Sequence, residues 1–139
     1  MDSMLELARE RNINVIVNNM LGHGVDGIYL EEGNNMTIGI NKDIISNTSY
    51  ARCVLAEELG HHFTTVGSCI PKMYFSYADR AIIDKAEYKA MKWACNYLIP
   101  ENELLDALRD GLYELWELAE YFTVTDEFMQ FRIKLFRGE

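Results

Sequence analysis

The sequence is short of cysteine, of basic residues and of long apolar runs, and each shortage narrows what the chain can be. Only three cysteines occur in 139 residues, Cys53, Cys69 and Cys95, and none form a C-x-x-C pair. An odd count without paired spacing argues against a disulfide framework and for buried thiols in a reducing, intracellular compartment. The opening MDSMLELARERN is charged and has no apolar h-region, so no signal peptide is expected. No run approaches the roughly 18–20 apolar residues that span a bilayer. The expected location is therefore cytoplasmic, with no membrane partner. Lysine and arginine number 13 against 22 aspartates and glutamates, a net charge of −9. Such a chain gains nothing from a phosphate backbone, so no direct nucleic-acid partner is expected. Proline and glycine are not enriched, and 49% of residues are apolar against 25% charged, which is a soluble globular profile. The length suits one domain with a sizeable core.

What is present reads as strands first and helices after. Residues 3–10 suit a short opening helix. INVIV (13–17), GIYLE (27–31) and MTIGI (36–40) are β-branched or alternating runs, separated by turn signals at Gly22–Gly24 and Gly33-Asn34-Asn35. These predict a small antiparallel sheet. Ser46, Asn47, Thr48 and Ser49 offer N-caps for a helix over about 50–64, followed by a loop over 65–78. Asp79 opens a long helix that ends at Leu98–Ile99, before Pro100. Further helices are expected at 101–109, 112–122 and 126–136, the last capped by Thr125. The class is α+β.

Chemistry concentrates in CVLAEELGHHFTTVG, residues 53–67. On a helix Glu57 and His61 stand at i and i+4 and share a face, with Glu58 on its flank. One metal could bind Glu57 and His61 while Glu58 reaches a water, which is the logic of H-E-x-x-H with Glu57 in the first His position. Gly60 costs a helix interior about 1 kcal/mol relative to Ala, consistent with another backbone approaching closely there. Taken alone, an E-E-x-x-H string more often marks an exposed acidic helix with solvent-facing histidines.

The long second helix adds an independent signal. Its apolar stripe runs Ile83, Ala86, Ala90, Ala94 and Tyr97, with Ile82, Met91, Trp93 and Leu98 beside it, and Glu87 falls inside. A buried, uncompensated carboxylate costs several kcal/mol or takes up a proton. An Arg or Lys partner or a wet stripe edge would satisfy it, and so would service as a third metal ligand from a separate helix. Zinc-peptidase sites are commonly completed in that way.

VLAEELGHHFTT followed by EYKAMKWACNYLIP (87–100) resembles the ImmA/IrrE family of metallopeptidases. Its pattern is an H-E-L-G-H helix and then E-x-x-A-x-x-F/W-A-x-x-L-x-x-P. Glu87, Ala90, Trp93, Ala94, Leu98 (one place late) and Pro100 fit the second element. The resemblance extends to the tail LAEYFTVTDEFMQFRIKLF (118–136) and covers most of the chain. It implies a metallopeptidase-like domain over 1–139, with a zincin-like core at 1–100 and a helical extension at 101–139. By position, His61 matches the second motif His, Glu58 the catalytic Glu and Glu87 the distant carboxylate ligand. Glu57 replaces the first His, and a phage- and mobile-element-associated branch resembles this chain in carrying E-E-x-G-H there. The family implies a zinc-dependent endopeptidase that acts as an anti-repressor, cleaving a repressor protein with a helix-turn-helix domain. A non-catalytic protein that sequesters the same repressor is the alternative.

On this reading Glu57, His61 and Glu87 hold the metal and Glu58 is the general base. Two carboxylates and one imidazole bring a divalent ion near zero net charge, where a His₂Glu set leaves about +1. The oxygen-rich set tilts from Zn²⁺ towards Mn²⁺ or Fe²⁺. An extended substrate could pair with a sheet edge beside MTIGI, and Tyr74, Phe75 and Tyr77 of the 65–78 loop could border the cleft. His62 is read as a packed or surface residue, His23 as a turn residue, and Cys53 and Cys95 as buried thiols. The last two helices invite a helix-turn-helix reading, with core packing by Phe128, Met129, Ile133, Leu135 and Phe136 as the alternative. Residues 101–139 carry four basic side chains against ten acidic ones, which opposes DNA binding.

Overall fold

The computed structural model describes residues 1–19, 25–64 and 77–139, the last segment with side chains from residue 85. The turn expected at Gly22–Gly24, and with it His23, Cys69, Tyr74 and Phe75, lies outside the described residues.

Helix α1 (Asp2–Glu10) passes into strand β1 (Ile13–Asn18) through Asn12, at a φ of 59° that asparagine tolerates better than most residues. Strands β2 (Gly27–Glu32) and β3 (Asn35–Asn41) form a hairpin with Glu32 opposite Asn35. Gly33 comes first in the two-residue loop, at φ 60°. A positive φ there suits the twist of a tight hairpin, and glycine has no Cβ to oppose it.

The α+β class is as expected, but the sheet is mixed rather than wholly antiparallel. Its order is β1-β3-β2, with β1 parallel to β3 and β2 antiparallel to it. The burial pattern gives the reason. Ile38, Gly39 and Ile40 are buried in succession, so both faces of β3 are covered, as in a central strand, while Ile16 and Val17 of β1 are exposed. MTIGI therefore has neighbours on both sides and offers no edge to a substrate; the outer strands are β1 and β2.

A short 3₁₀ turn (Lys42–Ile44) leads to helix α2 (Thr48–Thr64). Of the four candidate caps, Asn47 is used: its Oδ1 accepts from the Tyr50 N–H at 3.2 Å. Helix α2 buries Ala51, Val54, Leu55, Ala56, Leu59 and Gly60 around most of its circumference, so it is a central helix and not an amphipathic surface one. Helix α3 (Tyr77–Leu98) begins two residues before Asp79 and packs along α2.

Helix α4 (Glu101–Arg109) ends at Gly111, φ 93°, with Gly111 N–H bonded to Leu108 O and Leu112 N–H to Ala107 O, both at 3.1 Å. This is a Schellman closure. It keeps 112–114 out of the next helix, so α5 (Leu115–Phe122) starts later than expected. The Glu117 carboxylate accepts from the Glu114 N–H at its start. Helix α6 (Asp126–Arg137) is capped as expected by Thr125, whose Oγ1 accepts from Phe128 N–H at 3.1 Å.

One buried cluster joins Met4, Tyr29, Ile38, Leu55, Leu59, Ile99, Leu104, Phe122, Phe128 and Met129, so the helices after Pro100 share the core of the sheet and α2. Phe128 and Met129 face inward as expected, Ile133 and Leu135 are half-buried, and Phe136 is exposed. Arg132 is instead buried, 3% exposed, and donates Nε to the Ile99 carbonyl at 2.8 Å. Among the described residues no helix is long and apolar enough to cross a membrane.

Candidate metal centre

The centre sits where α2 crosses α3. A Cβ on Gly60 would lie 2.3 Å from the Ala90 carbonyl oxygen and 2.9 Å from Ala90 Cα. Only glycine lets the two backbones meet here, which is the close approach expected of it. Glu57 precedes Gly60 by three residues, and Glu87 precedes Ala90 by three. The crossing therefore brings the two acids together with His61, one turn after Glu57.

One ligand atom each from Glu57, His61 and Glu87 lies within 4.8 Å of the other two. His61 is buried, and its Nε2 stands 3.3 Å from Glu87 Oε1. The Glu57 carboxyl is pushed up to about 9, chiefly by burial, then by the hydrogen bond and charge of Glu87 and the charge of Glu58; His61 opposes this weakly. Two crowded carboxylates cannot both ionise cheaply, so the protein alone keeps a proton on one of them. A divalent cation in that proton's place would relieve the same repulsion. Carboxylate oxygens and an imidazole nitrogen at this spacing fit Zn²⁺, and equally Mn²⁺ or Fe²⁺.

Glu58 is also buried, on the side of α2 that faces β2. A Cβ on Gly27 would lie 3.2 Å from Glu58 Cγ and Oε1, and 2.5 Å from Val54 Cγ1. Gly27 thus makes the space that Glu58 occupies. Sequence reasoning passed over Gly27, although an isolated glycine in a strand is a recognised sign of close approach.

His62 is packed, as expected. Its Nδ1 is 2.8 Å from the hydroxyl of buried Tyr29, and burial lowers its pKa. Cys53 and Cys95 are buried free thiols; burial raises both, Cys95 to about 12. Such thiols stay protonated, and neither joins the ligand group. Arg52, also passed over, ties α2 to the end of α5: its Nε donates to Thr123 O at 3.0 Å and its Nη2 to Phe122 O at 3.5 Å.

Residues 8–134 match the family model Peptidase_M78, the IrrE N-terminal-like domain. The chain belongs to this family. No curated protein and no solved structure gives a match. The IrrE N-terminal-like match takes in both helices that carry the candidate ligands and runs through α4 and α5 into α6, so most of 101–139 lies within the family domain. The family is of metallopeptidase type. In such a family the Glu57, His61 and Glu87 group is a candidate site for a metal ion.

Proposed function

We propose that this chain is a divalent-metal-dependent endopeptidase that cleaves a helix-turn-helix repressor protein and so relieves repression of a phage or mobile element. The observation that carries the reading is the meeting of Glu57, His61 and Glu87, with buried Glu58 alongside, in a domain of a metallopeptidase family. Glu57, His61 and Glu87 would hold the ion, with Zn²⁺ the first candidate and Mn²⁺ or Fe²⁺ the alternatives. When bound, the ion polarises the scissile carbonyl and acidifies water. The Glu58 carboxylate takes one proton from the attacking water and delivers it to the departing amide nitrogen. The hydroxyl joins the carbonyl carbon, the C–N bond breaks, and a carboxylic acid and an amine result.

Strand β2 is the sheet edge nearest this chemistry, since Gly27 lies against Glu58. An extended substrate segment pairing with β2 by main-chain hydrogen bonds would lie beside the base. The near-neutral ligand set acidifies water less than a His₂Glu set does, so turnover is expected to be low and matched to one substrate. The resemblance to anti-repressors supports the choice of that substrate.

A second reading, sequestration of the repressor without cleavage, is favoured by Glu57 alone, because it weakens the metal as a Lewis acid. The test is metal analysis followed by incubation of the metal-loaded chain with a helix-turn-helix repressor from the same genome, in parallel with Glu58→Gln. One specific cut, lost in Glu58→Gln with metal content retained, is expected. A cut that survives the substitution removes Glu58 from its role, and tight binding without a cut under any metal supports sequestration.

A further inference from the structure

Helix α5 and the turn before it present a face that core packing does not account for. Tyr113, Trp116 and Tyr121 are 74%, 59% and 58% exposed. Trp116 and Tyr121 line a shallow groove of about 420 Å³ with Leu112, Glu117 and Glu120. Large aromatic rings gathered in water mark an interaction surface more often than a stability feature. Acids dominate this part of the chain: residues 101–122 hold seven acidic side chains against the single basic Arg109, itself 3.5 Å from Asp106, and Glu117 and Glu120 line the groove; Arg52 reaches only the carbonyls at the end of α5.

Aromatic rings set among carboxylates suit a partner rich in arginine and lysine. The rings take the cation's face and aliphatic stem, and the acids take its charge. Anionic membranes and nucleic acids would be repelled by the same surface. The most basic surface of a helix-turn-helix repressor is the one that neutralises DNA phosphates. Resting on the repressor-cleavage reading above, we infer that the α5 face docks the DNA-reading surface of the repressor, outside the metal centre.

The face is held firmly to the catalytic helix. Arg52 bonds the carbonyls of Phe122 and Thr123 at the end of α5, and it precedes Glu57 by little more than one turn of α2. A repressor docked there is placed at a fixed distance from Glu58. Docking also uses the surface that DNA needs, so the enzyme takes free repressor and is excluded by operator-bound repressor.

The test uses the full chain carrying Glu58→Gln, so that the complex is not consumed, and titrates it with an intact helix-turn-helix repressor that the Glu58 chain cleaves or binds. Two further versions add Trp116→Ala with Tyr121→Ala, or Glu117→Lys with Glu120→Lys. Unchanged circular dichroism and melting temperature check that each remains folded. The expected result is an affinity loss of at least about tenfold in each, a salt dependence that shrinks in the lysine version, and competition by operator duplex. Unchanged affinity in both versions overturns the docking site, and so does equal binding of free and operator-bound repressor or no binding by the parent. The two readings fail separately. Cleavage by the Glu58 chain with patch-independent affinity removes only the docking site, whereas patch-dependent binding without cleavage removes only the peptidase.

Discussion

Gly60 and Ala90 set the separation of the two helices that carry the candidate ligands: a Cβ on Gly60 would stand 2.3 Å from the Ala90 carbonyl oxygen. Alanine is the better helix former by about 1 kcal/mol, so propensity and packing predict opposite signs for Gly60→Ala. Backbone overlap of this depth wins, and a net loss of about 2 kcal/mol or more is expected in urea unfolding. Metal affinity should fall with it, because Glu57 and His61 are pushed away from Glu87. A variant as stable as the parent would show that the helices are held apart by something else.

The ligand set makes two opposite predictions. Glu87→Ala leaves donors on α2 alone, and zinc affinity by competition titration should drop by more than about 100-fold, beyond what loss of a mere supporting group costs. Glu57→His restores a second imidazole and raises the charge left on the ion, so zinc affinity and cleavage rate should both rise. No gain in either would mean that Glu57 is tuned to its task.

Protonation of Glu57 couples metal binding to pH. Its carboxyl stands at about 9 in the metal-free protein against an ordinary 4.5. The folded state therefore holds this proton more tightly than the unfolded chain. The stabilisation is complete below about pH 4.5 and is lost as pH rises through 9. Metal-free protein should lose melting temperature over that window through this group. A divalent ion must displace the proton, so affinity should climb about tenfold per pH unit for one proton released until pH nears 9. Calorimetry in buffers of different ionisation heat reads the proton count directly; a pH-independent affinity would place Glu57 outside the ligand set.

Thr123 closes α5 with φ at 55°, a left-handed conformation that a β-branched residue adopts under strain. The bond from Arg52 goes to its main-chain oxygen and survives any side-chain change. Thr123→Gly should therefore stabilise the protein by about 0.5–1 kcal/mol, the relief exceeding the added freedom of the unfolded chain. Urea midpoints of the two proteins decide it.

Much of the candidate site was legible because its cues are local. The i, i+4 spacing puts Glu57 and His61 on one face whatever the fold, and Glu87 shows itself as an acid in an apolar stripe. The cap at Thr125 and the stop at Gly111 are likewise fixed by neighbours in sequence. The pairing of β1 was not legible, since INVIV says that a strand forms but not which strand it meets. Arg132 was hidden for a related reason: its satisfying acceptor, the Ile99 carbonyl, belongs to a different part of the chain. A pattern of apolar residues therefore assigned the inside of α6 to Phe136 instead.

The candidate ligands come from two stretches of chain, with His61 and Glu87 26 positions apart. An ion held by both would act as a reversible cross-link, closing a loop whose entropic cost the unfolded chain would otherwise recover. Its removal would loosen α3 against α2 while the Gly60–Ala90 crossing keeps them packed. Chelation would then be felt first as faster amide exchange along α3, while the three-stranded sheet keeps its protons.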